Sequence, residues 1–140
     1  MTASPSPASS PSPNADMPPM PLVRGHYSQL VVLPCGTYHM AGQKAWDPAT
    51  GVLIAGTLPQ QVEQIFANIR AILANHRLDL GSISRISCHL ADIHAYDLFN
   101  EAYTACLGDH RPARIVLGGY QLRDGALIEL GTEGHVELRA

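Results

Sequence analysis

One long segment of the chain has its apolar residues at helical spacing. The apolar positions recur every three or four residues over 58–73 and are Leu58, Val62, Ile65, Phe66, Ile69, Ile72 and Leu73. This spacing places them on one stripe of an amphipathic helix. Thr57 precedes the segment and Gln60 follows it three residues later, which is the pattern of a capping box. We predict a helix that begins after Thr57 and ends near residues 75–76, with its stripe in the core.

The segment after this helix alternates between apolar and polar residues. Ile86, Cys88 and Leu90 alternate with Arg85, Ser87 and His89, which predicts a strand over residues 83–90 with one buried face.

A second helix is predicted to follow, with Asp92 as its N-cap and Gly108 as its C-terminal stop. Its predicted apolar stripe consists of Ala95, Leu98, Phe99, Ala102, Tyr103 and Cys106.

Short apolar runs at both ends of the folded part predict further strands. Residues 29–33 and 37–41 flank Pro34-Cys35-Gly36 and indicate a hairpin. The sequence leaves undecided whether residues 52–54 form a third short strand. Residues 111–117 and 125–130 predict two strands around a glycine-containing turn, the second running to about Val136. The order β-β-(β)-α-β-α-β-β favours an α+β fold, a mixed sheet with two helices on one face.

Composition separates a tail from a single folded domain. Seven of the eleven prolines lie within Met1–Pro21, so residues 1–22 are predicted to be a disordered Pro/Ser-rich tail and 23–140 the domain. The net charge of −3 and the absence of a basic block argue against a nucleic-acid partner. No apolar run approaches the ~20 residues of a membrane span. With no secretory signal pattern and three cysteines without CxxC spacing, we expect a cytoplasmic protein.

Two charged residues stand inside apolar strand segments near the end of the chain. Arg114 precedes Ile-Val-Leu, and Glu129 lies between Ile128 and Leu130. A charged side chain within an apolar segment is costly in folding free energy unless it is paired with an opposite charge, hydrogen-bonded or required for binding or catalysis. A guanidinium group suits a carboxylate ligand, and a glutamate can hold a water molecule or move a proton. The seven histidines are scattered without metal-ligand spacing, so we expect no metal site.

Several short motifs together, in order and spacing, resemble the RidA/YjgF family of enamine/imine deaminases from about residue 25 to 136. The motifs are Gly25-His26-Tyr27-Ser28-Gln29, Ala41-Gly42-Gln43, Asp47-Pro48-Ala49-Thr50-Gly51, Gln61 to Leu73 with Asn68-Ile69, Leu90-Ala91-Asp92-Ile93, Phe99-Asn100-Glu101-Ala102-Tyr103, Pro112-Ala113-Arg114 and Ala126-Leu127-Ile128-Glu129. The resemblance implies a chorismate-mutase-like subunit that assembles as a homotrimer with clefts between subunits. It also implies hydrolysis of reactive enamines or imines, such as 2-aminoacrylate, to 2-keto acids and ammonia without a cofactor, as in a 2-iminobutanoate/2-iminopropanoate deaminase.

The resemblance also implies roles for individual residues. Arg114 matches the arginine that clamps the substrate carboxylate, and Glu129 matches the glutamate that positions the attacking water. Tyr27 and Asn100 match polar residues that line the cleft, and the backbone of Gly42 borders the ligand. Such hydrolysis needs only a bound substrate and a water molecule positioned to attack the imine carbon, because that carbon is already electrophilic.

Four positions depart from the usual pattern of the family. Ala41 replaces a serine, Val116 a cysteine beside the ligand, and Gly118 and Gly131 replace acidic residues. The loss of the hydroxyl and thiol groups makes the cleft more apolar. We interpret Gly118-Gly119 as leaving space for a bulkier substrate. One alternative is therefore a larger, pathway-specific imine or enamine resembling 2-aminomuconate, with isomerisation or condensation as other reaction types. A second alternative is a non-catalytic, ligand-binding or chaperone-like trimer.

Strand geometry alone does not bring Arg114 and Glu129 together. In an ideal hairpin that turns at residues 123–124, Arg114 faces Glu133, and the offset of four residues is roughly 13 Å along a strand. The pair therefore requires a bulge, a bend or an assembly across two subunits.

Overall fold

A five-stranded mixed sheet and two helices make up the folded part of the chain. The computed structural model describes residues 18–137. Its strands are β1 (Leu30–Val32), β2 (Thr37–Gln43), β3 (Ile83–Leu90), β4 (Ala113–Leu117) and β5 (Ile128–His135), and its helices are α1 (Leu58–Asn75) and α2 (Tyr96–Leu107). The predicted α+β fold is confirmed.

The strand order β1-β2-β5-β3-β4 corrects one sequence prediction. The last two strands do not form a hairpin, because β3 lies between β4 and β5. The β3–α2–β4 crossover sets β4 parallel to β3 at the edge of the sheet, as such a helical connection allows. β5 then runs antiparallel to both β2 and β3 in the middle.

Both helices pack on the same face of the sheet, and the core lies between the two layers. The predicted stripe of α1 is buried along its whole length, with at most 7% of any side chain exposed. The sheet contributes the inward-facing residues of three strands, which are Tyr38, Met40, Ile83, Ile86, Cys88, Leu90, Ile128 and Leu130. The predicted alternation in β3 is confirmed.

The helix ends follow the predicted capping chemistry, with one shift. Thr57 and Gln60 form the capping box of α1, with the Thr57 amide donating to Gln60 Oε1 at 2.9 Å. Asp92 caps a 3₁₀ turn over residues 93–95 that leads into α2, so the α-helix itself begins later than predicted. Gly108 ends α2 with φ of 62°, a left-handed conformation that glycine adopts without strain.

One finer prediction is wrong, and one question that the sequence left open is answered. Leu98 is half exposed, because α2 turns the i, i+4, i+8 series of Phe99, Tyr103 and Leu107 inward and Leu98 lies about 100° from Phe99 around the helix. Residues 52–54 form no strand and are joined to the chain before them by a single bridge, between Leu53 and Trp46.

The opposite face of the sheet carries apolar side chains that no part of residues 18–137 covers. Val31, Ile115 and Leu117 are all more than one third exposed there. Tyr120 joins them, packed edge-on against His89 with ring centroids 5.1 Å apart.

Most of the predicted tail, residues 1–17, lies outside the described residues. Residues 18–22 contain no helix or strand, and Met20 packs against the core. The Pro21 carbonyl accepts a hydrogen bond from Gln29 Nε2 at 2.8 Å. Within residues 18–137, neither helix combines the length and the apolar character needed to cross a membrane.

Candidate functional site

The larger cleft of the molecule contains Glu129. It has a volume of about 950 Å³ and lies between the end of β2, the 51–56 loop and the turn before β5. Three of the residues that the sequence analysis singled out line it together, namely Tyr27, Gly42 and Glu129. Lys44 and Trp46 form part of its wall.

Glu129 occupies its place because Gly42 has no side chain. A Cβ atom built on Gly42 lies 2.5 Å from Glu129 Oε1, closer than real Cβ contacts come. The register of β2 against β5 shifts between Met40 and Gln43, so the backbone of Gly42 is irregular where the carboxylate lies against it. The half-buried carboxylate therefore lies directly on the glycine backbone, beside the open cleft.

We expect Gly42→Ala to displace the Glu129 carboxylate while the protein stays folded, and to lower about 10²-fold any turnover that depends on the position of this carboxylate, since displacement of a positioned group by about 1 Å has this effect. The added methyl group forces the Glu129 carboxylate to move. Gly42 is exposed and its φ is not in the left-handed region, so alanine fits the backbone. Steady-state kinetics with a thermal melt check this, and wild-type kcat in the variant contradicts it.

Two buried polar residues of α1 hold the backbone of this cleft. Gln61 Oε1 accepts a hydrogen bond of 3.0 Å from the amide of Leu127, and Leu127 lies two residues before Glu129 in the chain. Asn68 Nδ2 donates to the Trp46 carbonyl at 2.8 Å. Both side chains are at most 3% exposed. The role of these two residues was not predicted from the sequence, in which only their position beside the apolar stripe of α1 is visible.

A second, smaller cleft of about 270 Å³ contains Arg114, Asn100 and Tyr103. Arg114 Nη2 donates to Tyr96 Oη and to Asn100 Oδ1, each at 2.8 Å. Its guanidinium carbon lies 4.8 Å from the Tyr103 ring centroid. Aromatic stacking and neutral acceptors thus fix the orientation of the guanidinium group.

No carboxylate pairs with Arg114 in the part of the chain that the structure describes, where the one ion pair joins His39 and Glu133. A structural ion pair therefore does not explain this arginine. An arginine has five N–H donors, and the two hydrogen bonds involve Nη2 alone, so donors remain for a ligand.

The Tyr103 hydroxyl is buried in the same cleft and has no hydrogen-bond partner among residues 18–137. Burial, with the neighbouring Cys88 as a smaller cause, raises the pKa of Tyr103 to about 12. The hydroxyl is therefore protonated at neutral pH. Burial also raises the pKa of the Cys88 thiol to about 12, which makes it unreactive.

The two clefts lie on opposite faces of the sheet. Arg114 pairs with Ile86 and faces the helices, whereas Glu129 pairs with His89 and faces away from them. The ideal-hairpin register does not apply, because Glu133 pairs with Arg85 of β3. Within one copy of the chain, Tyr27, Gly42 and Glu129 therefore lie together in the larger cleft. Arg114 and Asn100 lie together in the smaller cleft, on the other face of the sheet.

Two of the departures from the family pattern take on a structural meaning. Val116 lies on the Arg114 side of β4, paired with Cys88, and packs against the core. A Cβ atom on Gly118 would clash with the Cβ of Ile93, whereas a Cβ atom on Gly119 would have no atom within 4 Å. The interpretation of these two glycines as room for a larger substrate is therefore wrong for Gly118, because the close approach of the 93–95 turn fills that space.

Among residues 18–137 no three His, Cys, Asp or Glu side chains cluster in a way that would hold a metal ion. The side chains that line the two clefts include carboxylate, guanidinium, ammonium, imidazole, hydroxyl and amide groups.

Comparison with known proteins gives consistent matches. Residues 18–133 match the family described as endoribonuclease L-PSP. A RutC family protein of Pyrococcus abyssi is 31% identical over 107 residues, covering 76% of this chain and 83% of that protein. The human 2-iminobutanoate/2-iminopropanoate deaminase is 30% identical over 106 residues, covering 76% and 77%. The crystal structure of RidA from an Antarctic Psychrobacter superposes with a TM-score of 0.78 at 30% identity, covering 84% and 94%.

Proposed function

This chain belongs to the endoribonuclease L-PSP family, which includes the RidA and YjgF proteins, and we propose that it hydrolyses 2-imino or 2-enamino acids to 2-keto acids and ammonia. In this proposal Arg114 binds the substrate carboxylate and Glu129 positions the attacking water. Relatives named as 2-iminobutanoate/2-iminopropanoate deaminases support the reaction class. The net charge of −3 gives no support to RNA as the substrate.

One observation carries the proposal, the unpaired and oriented guanidinium group of Arg114. It is held by Tyr96, Asn100 and Tyr103 without a carboxylate among the described residues. Such an arginine is arranged to receive a planar anion in two hydrogen bonds.

The proposed site is complete only between two copies of the chain. Arg114 and Glu129 lie on opposite faces of one sheet, so a single chain cannot present both to one small substrate. The exposed apolar residues Val31, Ile115 and Leu117 give the open face the character of a subunit interface. We therefore propose a homotrimer in which the Arg114 cleft of one subunit meets the Glu129 cleft of the next.

The proposed reaction requires only water and the imine. The oxygen of a water molecule bonds to the carbon of the protonated imine as the C=N π electrons move to the nitrogen, and Glu129 accepts a proton from that water, which gives a neutral carbinolamine. Glu129 then transfers this proton to the amine nitrogen, the C–N bond breaks and ammonia leaves as the C=O bond forms, and the hydroxyl proton passes to Glu129. A positioned carboxylate of this kind contributes about 10²–10⁴-fold, and substrate orientation contributes further.

The direct test generates 2-aminoacrylate in situ from serine with a pyridoxal-phosphate-dependent dehydratase. Release of pyruvate is followed with and without this protein, and with Arg114→Ala. We expect acceleration by the wild type and none by the variant. A folded, oligomeric wild type that accelerates the release from neither 2-aminoacrylate nor larger 2-imino acids would exclude the proposed hydrolysis.

A further inference from the structure

Lys44 is a cation in the Glu129 cleft that no carboxylate among residues 18–137 neutralises. The side chain is half-buried and its Nζ lies 5.1 Å from the centroid of the Trp46 ring. The ion pair between His39 and Glu133 is the only one within residues 18–137, so Lys44 has no carboxylate oxygen within 4.0 Å there. The Lys44 ammonium group therefore lies on an open cleft without a counter-ion among residues 18–137, where it can pair with an anionic ligand.

The charges of the cleft favour an anionic ligand. Three cations, Arg24, Lys44 and Arg123, line it against two carboxylates, Asp124 and Glu129, in a chain whose net charge is −3. Arg24 is exposed and its Nη2 donates to the Thr50 carbonyl at 3.3 Å. Arg123 and Asp124 are exposed neighbours of opposite charge on one turn. Lys44 is the half-buried cation of the three and the one stacked on an aromatic wall.

The wall that carries Lys44 is held in place from the core. Asn68, which is 1% exposed, donates to the Trp46 carbonyl at 2.8 Å and accepts from Gln64 Nε2 at 2.9 Å. The Trp46 amide in turn donates to the Lys44 carbonyl at 2.8 Å. The ammonium group is therefore presented from a supported segment, which is what a specific binding group requires.

We propose that Lys44 binds a second anionic group of the substrate, so that the preferred substrates are imines of dicarboxylic amino acids. This inference rests on the proposed function, in which Arg114 takes the 2-carboxylate and Glu129 acts at the imine carbon. Since the 2-carboxylate of the substrate pairs with Arg114, the Lys44 ammonium group pairs with the distal carboxylate of the substrate. The Trp46 ring offers a flat apolar surface to the methylene groups between the two carboxylates.

The binding test uses stable keto acids, which need no turnover. Titration calorimetry compares 2-oxoglutarate with 2-oxopentanoate, which has the same five-carbon chain but no distal carboxylate, on the intact oligomer. We expect wild type to bind 2-oxoglutarate about tenfold more tightly, the effect of one charge-assisted hydrogen bond. Lys44→Met should lose this preference and Lys44→Arg should keep it. Equal affinities for the two acids in the wild type overturn the proposal.

The kinetic test uses 2-iminoglutarate and 2-iminopentanoate, generated in situ by amino-acid oxidases. We expect Lys44→Met to lower kcat/KM about tenfold for 2-iminoglutarate and less than about twofold for 2-iminopentanoate. An equal loss on both substrates overturns the proposal, because Lys44 then acts through Glu129 or the fold. If the wild type hydrolyses neither imine and the Lys44-dependent binding preference persists, the proposed function fails and the anion-binding role of Lys44 is supported.

Discussion

Replacement of Arg114 by alanine is expected to lower kcat/KM for 2-imino acids about 10³-fold, the equivalent of two charge-assisted hydrogen bonds to the substrate carboxylate. The guanidinium group is oriented by Tyr96, Asn100 and Tyr103, and no protein carboxylate competes for it within residues 18–137. Arg114→Lys should recover little of the loss, because an ammonium group cannot form the two parallel hydrogen bonds of a guanidinium group.

The matched control for Arg114 is Arg77→Gly. Arg77 is exposed in the turn after α1 with φ of 59°, so glycine suits its backbone, and the positive charge that is removed belongs to a side chain that lines neither cleft. We expect wild-type kinetics within about twofold for this variant, since isolated surface changes have small effects. Arg114→Ala with near-wild-type kcat/KM and an unchanged melting temperature would contradict the carboxylate-binding role.

Replacement of Glu129 by glutamine is expected to lower kcat about 10²–10⁴-fold and to change KM little, because the amide keeps the shape of the side chain and cannot accept a proton from water. The carboxylate lies on the backbone of Gly42, and glutamine occupies the same volume. Rapid-quench measurements of keto-acid release determine kcat without interference from decay of the imine.

Glu63→Gln is the control for Glu129, because Glu63 is an exposed residue of α1 that lines neither cleft. It removes the same charge and should leave kcat unchanged. A Glu129→Gln protein with full kcat would show that another group activates the water. A variant that instead loses substrate affinity with kcat preserved would assign Glu129 to binding.

The helices and the β3 strand were predictable because their signals are local. The α1 stripe, the Thr57–Gln60 capping box and the alternation over residues 83–90 all depend on residues within a few positions of one another. The insertion of β5 between β2 and β3 was not predictable in this way. It depends on pairing between segments about 40 to 100 residues apart in the sequence, for which local periodicity carries no information.

The two charged residues of the candidate site could be singled out from the sequence, whereas their arrangement could not. Arg114 and Glu129 stood out as charges in apolar strands, but their placement on opposite faces follows only from the strand order and register. Gln61 and Asn68 were missed because hydrogen bonds from a helix to distant backbone groups leave no short motif. Gly118 was misinterpreted because its close contact with Ile93 joins two separate loops.

The most direct test of a site shared between subunits measures activity in mixed oligomers of Arg114→Ala and Glu129→Gln subunits. Oligomers of either variant by itself are expected to be nearly inactive. The two variants are coexpressed with different affinity tags and purified through both. In a ring of three, every mixed trimer has one interface that joins an intact Arg114 cleft to an intact Glu129 cleft, so we expect about one third of wild-type activity. Doubly tagged trimers no more active than the single variants would contradict a site shared between subunits.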